Sequence, residues 1–437
     1  MPKDLIKNFI TEFIKHNGFP KYINTPASDN VQTERNRVLY SGPYWGVEEL
    51  QAAVEGIMEG TWLVSGEKVR KFENEFSRKF NLGYSVMVNS GSSANLVMIA
   101  AVKEFLAWPD GSEIICSVVG FPTTFNPIIQ NNLTPVFADI DLSDLNFSPD
   151  EIEKKISPQT KAIFVSPVLG NCGDFDKIIN LASKYKLEIL LDNCDSLGSK
   201  YKNTYLSDFA IASSCSFYPA HHISVGEGGM VSSKHLKLIE ITRSFAWWGR
   251  DCYCVGSANM LPNGTCKNRF DHWLGDDQPV IDHKYLFKRQ GYNLKPLDFQ
   301  GRIGSVQLSR FDHIHKVRRN NFKILSNIFS RIEGVKGISE RHDCEISWFG
   351  VPFVCETAQL KQDLVSWLES NSIQTRNYFA GNILSHPGYN ELDNEHLYPN
   401  AQLVLKLVFF VGCSPVITKE KIEYIDEKII EFCNNIR

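Results

Sequence analysis

The run Ser216-Phe217-Tyr218-Pro219-Ala220-His221-His222, followed by Gly226-Glu227-Gly228-Gly229-Met230, comes directly after a short apolar stretch, residues 209–213. Four similar stretches precede it, at 84–88, 114–119, 162–165 and 189–191. Helical patterns fill the intervals, and this alternation from about residue 60 to 235 predicts an α/β domain with a largely parallel sheet. Ser148-Pro149-Asp150-Glu151 supplies an N-cap, a proline at the first helical position and a capping acid, so a helix starts there; Asp174 is placed to open another.

Working outward, the chain has 437 residues, more than one ordinary core. The expected organisation is a helical arm over 1–58, a large domain over 59–298 and a smaller α+β domain over 299–437. Hydrophobic residues at 43% and charged residues at 22% give a globular composition. With a net charge of −4 and both signs interspersed, there is no basic stripe to neutralise a nucleic-acid backbone. Near the N-terminus Leu5, Ile6, Phe9, Ile10, Phe13 and Ile14 fall on one helical stripe interrupted by charges, which predicts an amphipathic arm rather than a signal peptide. No apolar run approaches the roughly 20 residues of a membrane span, so the expected location is the cytoplasm. In that reducing compartment the 11 cysteines are expected to bind metal, to act in catalysis or to be buried rather than to form disulfides. From 236 to about 295 the pattern breaks, with a long cysteine-bearing loop over 245–290. Thr418 is placed to cap a closing helix with the stripe Ile422, Ile425, Ile429 and Phe432.

Candidate site residues lie at the C-terminal ends of the predicted strands, where open α/β sheets bind ligands. Asn89-Ser90-Gly91-Ser92-Ser93-Ala94-Asn95 opens into an apolar helix, and free N–H groups at such a helix start suit a phosphate. Asp192 ends a hydrophobic run, and a carboxylate there needs a cation; a protonated pyridine nitrogen is one, a surface salt bridge another. Phe121 is placed either to stack on a flat ring or to pack in the core.

In order and spacing these segments resemble the sugar aminotransferases among the fold-type I pyridoxal-phosphate enzymes, over roughly residues 60 to 435. In that family a lysine follows the Ser-Phe-aromatic run and forms a Schiff base with the cofactor; here His221 stands in its place. The resemblance implies that Asp192 pairs with the pyridine nitrogen, that Phe121 stacks on the ring, and that Gly91, Ser92 and Ser216 hold the phosphate. Asp195 takes a position near the ring where relatives usually have His or Gln. Asn293, in Gly291-Tyr292-Asn293, corresponds to a residue that reaches the phosphate of a neighbouring subunit, which implies a homodimer.

An imidazole cannot form a Schiff base but can move protons near neutral pH. The cofactor is therefore expected to be held non-covalently, as pyridoxamine phosphate, with His221 taking a proton from its C4′ carbon. The outcome is dehydration of a keto sugar rather than amino transfer. His222 is the rival base, and a degenerate site is the bland alternative.

Cys194, Cys252, Cys254 and Cys266 suggest a four-thiolate set of the kind that binds a 2Fe-2S cluster; structural zinc is the alternative. Their spacing resembles the cytidine diphosphate 4-keto-6-deoxyglucose 3-dehydrases. As there, 57 residues separate the first pair and one the second; the final gap of 11 is longer, which touches Cys266 most. Cys116, Cys172, Cys215, Cys344, Cys355, Cys413 and Cys433 read as small core residues. The resemblance implies C3 deoxygenation in a 3,6-dideoxyhexose pathway such as that of O-antigen synthesis, with electrons from a separate NADH-dependent flavin and iron-sulfur reductase. Rivals are a cluster-free dehydratase acting on a guanosine-linked sugar, an aminotransferase using another lysine, and a non-catalytic nucleotide-sugar sensor. Arg376 and Tyr378 are candidates either to contact the nucleotide sugar or to pack.

Overall fold

The computed structural model describes residues 3–17, 36–60, 62–250 and 268–436. Seven strands form the main sheet: β1 (Tyr84–Val88), β2 (Glu113–Ser117), β3 (Thr134–Ala138), β4 (Thr160–Val165), β5 (Glu188–Asp192), β6 (Ala212–Ser216) and β7 (Gly229–Ser233). Their order is β1-β7-β6-β5-β4-β2-β3. Only β7 runs antiparallel to its neighbours, so the other six strands present their C-terminal ends along one edge. Helix faces cover the sheet, and the strands are buried almost throughout, as a largely parallel sheet requires.

The strand expected at 209–213 begins three residues later. Residues Leu206–Phe209 form a 3-10 turn instead, and Phe209 packs its ring near Phe175 and Tyr201. The strand proper, Ala-Ser-Ser-Cys-Ser, is fully buried but made of small residues, so a hydrophobicity pattern places it too early. Within the supposed irregular stretch, Leu236–Ala246 is a helix burying Leu238, Ile239 and Ile241. Ser148 and Asp174 do cap helices, accepting from the Glu151 and Lys177 amides. The N-terminal helix Lys3–Asn17 buries only Ile6 and Ile10 of its stripe; Leu5, Phe9 and Phe13 remain exposed.

A second, antiparallel sheet joins β8 (Val335–Gly337), β9 (Gly350–Cys355), β10 (Thr375–Asn377) and β11 (Val408–Gly412) in the order β8-β9-β11-β10. The helix Asp298–Phe329 spans both parts of the molecule. The stripe on the closing helix Lys419–Ile436 is buried as the pattern requires. Cys172 and Cys344, read as isolated core thiols, are instead paired sulfur to sulfur; 172 residues apart in the chain, they carry no local sign of that proximity. Among the described residues no helix is long and apolar enough to cross a membrane.

Just before β9, Trp348 is fully buried and stacks on Phe322 with ring centroids 3.8 Å apart. Its indole N–H donates to Glu340 at 2.8 Å. Trp348→Ala is expected to cost about 3–5 kcal/mol of stability, measured by chemical denaturation, because the neighbours cannot refill the cavity or replace the stack on Phe322.

Candidate active site

The C-terminal ends of β1, β2, β4, β5 and β6 meet at a cavity of about 330 Å³. Gly91, Ser92, Phe121, Asp192, Cys194, Asp195, Ser216 and His221 all line it. These residues lie far apart in sequence, and it is the parallel strand order that gathers them. Asn293 is exposed and lies outside this lining, its side-chain oxygen accepting from Lys295.

At the end of β1, Ser90 caps the helix Gly91–Phe105, its hydroxyl accepting from the Ser93 amide at 3.1 Å. The amides of the first helical turn have no intrahelical acceptor, so the helix start suits an anion. A Cβ at position 91 would stand 2.4 Å from Cβ of Ser216, so only glycine lets β6 approach this turn. Phe121 precedes the next helix and keeps 54% of its surface exposed, a ring face open to the cavity.

Asp192 is almost fully buried, and its carboxylate is satisfied by groups from three elements. Oδ2 accepts from Asn95 Nδ2 at 2.8 Å and Thr124 Oγ1 at 2.7 Å. Oδ1 accepts only a longer bond, from the Cys194 amide at 3.3 Å, because the Ser214 hydroxyl, 3.5 Å away, donates to Asn95 Oδ1 at 2.5 Å. That oxygen retains capacity for a strong charged donor.

His221 and His222 face different ways. His222 is 2% exposed, its Nε2 lying 3.0 Å from the Ser347 carbonyl, and it does not line the cavity. His221 does line it, between Phe349 and Tyr218. Its Nδ1 lacks a hydrogen-bond partner and lies 3.6 Å from Asp195 Oδ1. Burial, reinforced by the Arg318 charge, holds the His221 pKa down to about 3, with the Cys194 backbone acting in the opposite sense. Burial and the neighbouring Asp192 charge push Asp195 up to about 7, against the Leu169 amide and Arg318. Both shifts arise chiefly from loss of water around the charged form. The Cys194 thiol is raised well above its ordinary value by burial and by the nearby carboxylates.

Of the four cluster candidates, Cys252, Cys254 and Cys266 lie outside the described residues. Among the described residues no group of three His, Cys, Asp or Glu side chains is arranged to hold a metal. Tyr378 is a packing residue, buried with its hydroxyl on the Leu145 carbonyl at 3.1 Å. Arg376 lies 4.2 Å over the ring of Tyr40, which lines the cavity.

Glu227, from the Gly-Glu-Gly-Gly turn, also lines the cavity, as do Tyr40, Phe349 and Phe379, which escaped the sequence reading. No local motif marks the last two. Phe379 arrives because Ala380 and Ile383 donate backbone bonds to Gly120 and Val118, drawing its ring to 6.1 Å from Phe121.

A mainly parallel sheet with a phosphate-suited helix start, a strand-end carboxylate and an open aromatic ring at one edge defines a fold-type I pyridoxal-phosphate-dependent enzyme. The chain belongs to the DegT/DnrJ/EryC1/StrS aminotransferase family, whose model matches residues 46–430. It is 38% identical over 401 residues to a dTDP-4-dehydro-2,6-dideoxy-D-glucose 3-dehydratase of Saccharopolyspora spinosa, covering 90% of this chain and 86% of that one. A lipopolysaccharide biosynthesis protein of Salmonella typhimurium is 35% identical, with 90% and 91% covered. Among solved structures, a GDP-4-keto-6-deoxy-D-mannose 3-dehydratase of E. coli with bound hydrated PLP superposes with a TM-score of 0.78 at 28% identity, over 90% of this chain and 99% of that one.

The residues fit such a cofactor: a Cβ at 91 would collide with Ser216 at the helix start, and Asp192 Oδ1 keeps capacity for a charged donor. Gly91→Ala is expected to weaken pyridoxamine phosphate binding at least about tenfold, measured by fluorescence titration, while circular dichroism shows the fold retained.

Proposed function

We propose that the protein removes the C3 hydroxyl of a nucleotide-linked 4-keto-6-deoxyhexose, with pyridoxamine phosphate held non-covalently and His221 as the proton-transfer group. One observation carries this reading: a histidine and no lysine lines the cavity among the described residues, so nothing there can tether the cofactor as a Schiff base. When bound, the cofactor supplies the amine that condenses with a keto sugar and the ring that withdraws electrons. Gly91, Ser92 and Ser216 hold its phosphate, Asp192 pairs with its ring nitrogen, and Phe121 stacks on the ring. His221 accepts a proton from the C4′ carbon, and Asp195 beside Nδ1 offsets the charge the imidazole then gains. The names of the relatives support this substrate class.

The finer reading adds reduction. Cys194, Cys252, Cys254 and Cys266 would hold a 2Fe-2S cluster, which would supply one-electron transfer from a separate NADH-dependent flavin and iron-sulfur reductase. The product then belongs to the 3,6-dideoxyhexoses of lipopolysaccharide and O-antigen, made in the cytoplasm, and the nucleotide is cytidine diphosphate. Supporting this are the cysteine spacing and the relative named for lipopolysaccharide biosynthesis. The second reading, a cluster-free dehydratase of GDP-linked sugars, draws on the solved relatives of that name. Protein purified anaerobically is expected to carry about two iron and two sulfide per chain and to give an EPR signal after dithionite; iron-free protein that is fully active on a GDP-linked sugar would establish the second reading.

Asn293 acts from a partner subunit in this scheme. The exposed apolar residues Ile57, Met58, Trp62, Leu63 and Leu297 supply a surface for that homodimer, Val64 bridging to Leu297 within it. His221→Asn is expected to lower proton exchange at C4′ of pyridoxamine phosphate by about 10²-fold or more, while the cofactor still binds. Unchanged exchange would assign the base elsewhere. Mixed dimers of His221→Asn and Asn293→Ala chains, each homodimer being impaired, are expected to regain activity at the one site that keeps both native residues.

A further inference from the structure

Arg318, on the helix Asp298–Phe329, is 1% exposed and belongs to no ion pair among the described residues. Its guanidinium is instead spent on four carbonyls in two chain segments. Nη2 donates to Ala220 at 3.1 Å and His221 at 3.0 Å. Nη1 donates to Trp348 at 3.3 Å and Phe349 at 3.1 Å. Only a planar fork can bridge two such pairs; the ammonium of a lysine cannot.

We propose that Arg318 is the positioning residue of the active site: it locks the His221 turn to the Phe349 segment, and so fixes where the imidazole stands relative to its aromatic wall and to Asp195. The proposal rests on the reading of His221 as the proton-transfer group. Two branches leave the fork. The first is direct, through the His221 carbonyl, and is braced by Ser41, whose hydroxyl donates to Ala220 O at 2.9 Å. The second runs through Phe349, whose amide donates to Leu169 O at 2.9 Å, and whose ring lies 5.2 Å from the imidazole. The Leu169 amide in turn donates to Asp195 Oδ2 at 3.3 Å. The two groups that face each other across 3.6 Å are thus hung from the two ends of one guanidinium.

Stability alone is a poor reason for this arrangement. Burying a guanidinium forfeits its hydration, and hydrophobic residues of similar volume often serve a fold as well. What they cannot do is hold four carbonyls at set distances, and proton transfer is sensitive to displacements of about 1 Å.

The test uses the full-length holoenzyme with Arg318→Lys, which keeps the charge and loses the fork. With folding verified by circular dichroism, kcat is expected to fall about tenfold or more while KM and cofactor affinity stay within about twofold. In Arg318→Ala, millimolar guanidinium is expected to restore part of the lost kcat. A readout independent of turnover comes from ¹⁵N-histidine NMR of cofactor-free protein. The His221 ring resonances, assigned by loss in His221→Asn, are expected to shift or broaden in Arg318→Lys while those of surface His342 do not move. Folded Arg318→Lys with unchanged His221 resonances, or with kcat per folded chain at the wild-type value, overturns the proposal. If Arg318→Lys does not fold, Arg318→Met takes the same measurements. Wild-type protein without dehydration activity sinks the proposed function instead, and leaves the NMR comparison to decide the role of Arg318.

Discussion

A carboxylate at the buried end of a parallel strand must be satisfied or neutralised, and much of this active site follows from how Asp192 is satisfied. Its donors come from the helix after β1, the helix after β2 and the Cys194 amide in the turn after β5. Asn95 serves twice, donating to Asp192 while its side-chain oxygen accepts from Ser214 at 2.5 Å. Each donor therefore also registers one element against its neighbour. The same elements carry Gly91, Phe121 and Ser216 to the cavity, so satisfying the carboxylate and shaping the cofactor cradle are one packing problem.

Around this anchor, removal of water does the chemical tuning. His221 and Asp195 are both shifted toward their neutral forms, the imidazole downward and the carboxyl upward, by burial before any specific contact. A neutral imidazole can accept a proton, and an adjacent carboxyl near its midpoint at neutral pH can adjust its charge in response. Arg318 opposes the Asp195 shift and adds to that of His221, so one buried cation biases both partners in the same direction.

Much of the fold was legible because parallel strands buried on both faces leave apolar runs that stand out between helical patterns. Where the strand itself is built of small residues, as at Ala212–Ser216, composition misleads and the boundary slips. Residues 91, 92, 121, 192, 195, 216 and 221 were legible as a group because their segments lie at strand ends and resemble, in order and spacing, the motifs of the sugar aminotransferases. Tyr40, Phe349 and Phe379 were not, since they reach the cavity from segments whose local pattern carries no sign of it. The pairing of Cys172 with Cys344 was hidden for the same reason.

The sequence by itself determined the order of the elements, the strand-end residue types and the substitution of histidine for lysine, because these are properties of local pattern and chemical identity. Which of the two adjacent histidines meets the cavity was decided only by tertiary structure. The turn from Tyr218 to His221, clamped from outside by Arg318, directs one ring toward Asp195 and the other toward the Ser347 carbonyl. Side-chain direction at neighbouring positions in a turn depends on what grips the backbone there, and here the grip comes from a helix almost a hundred residues further along the chain.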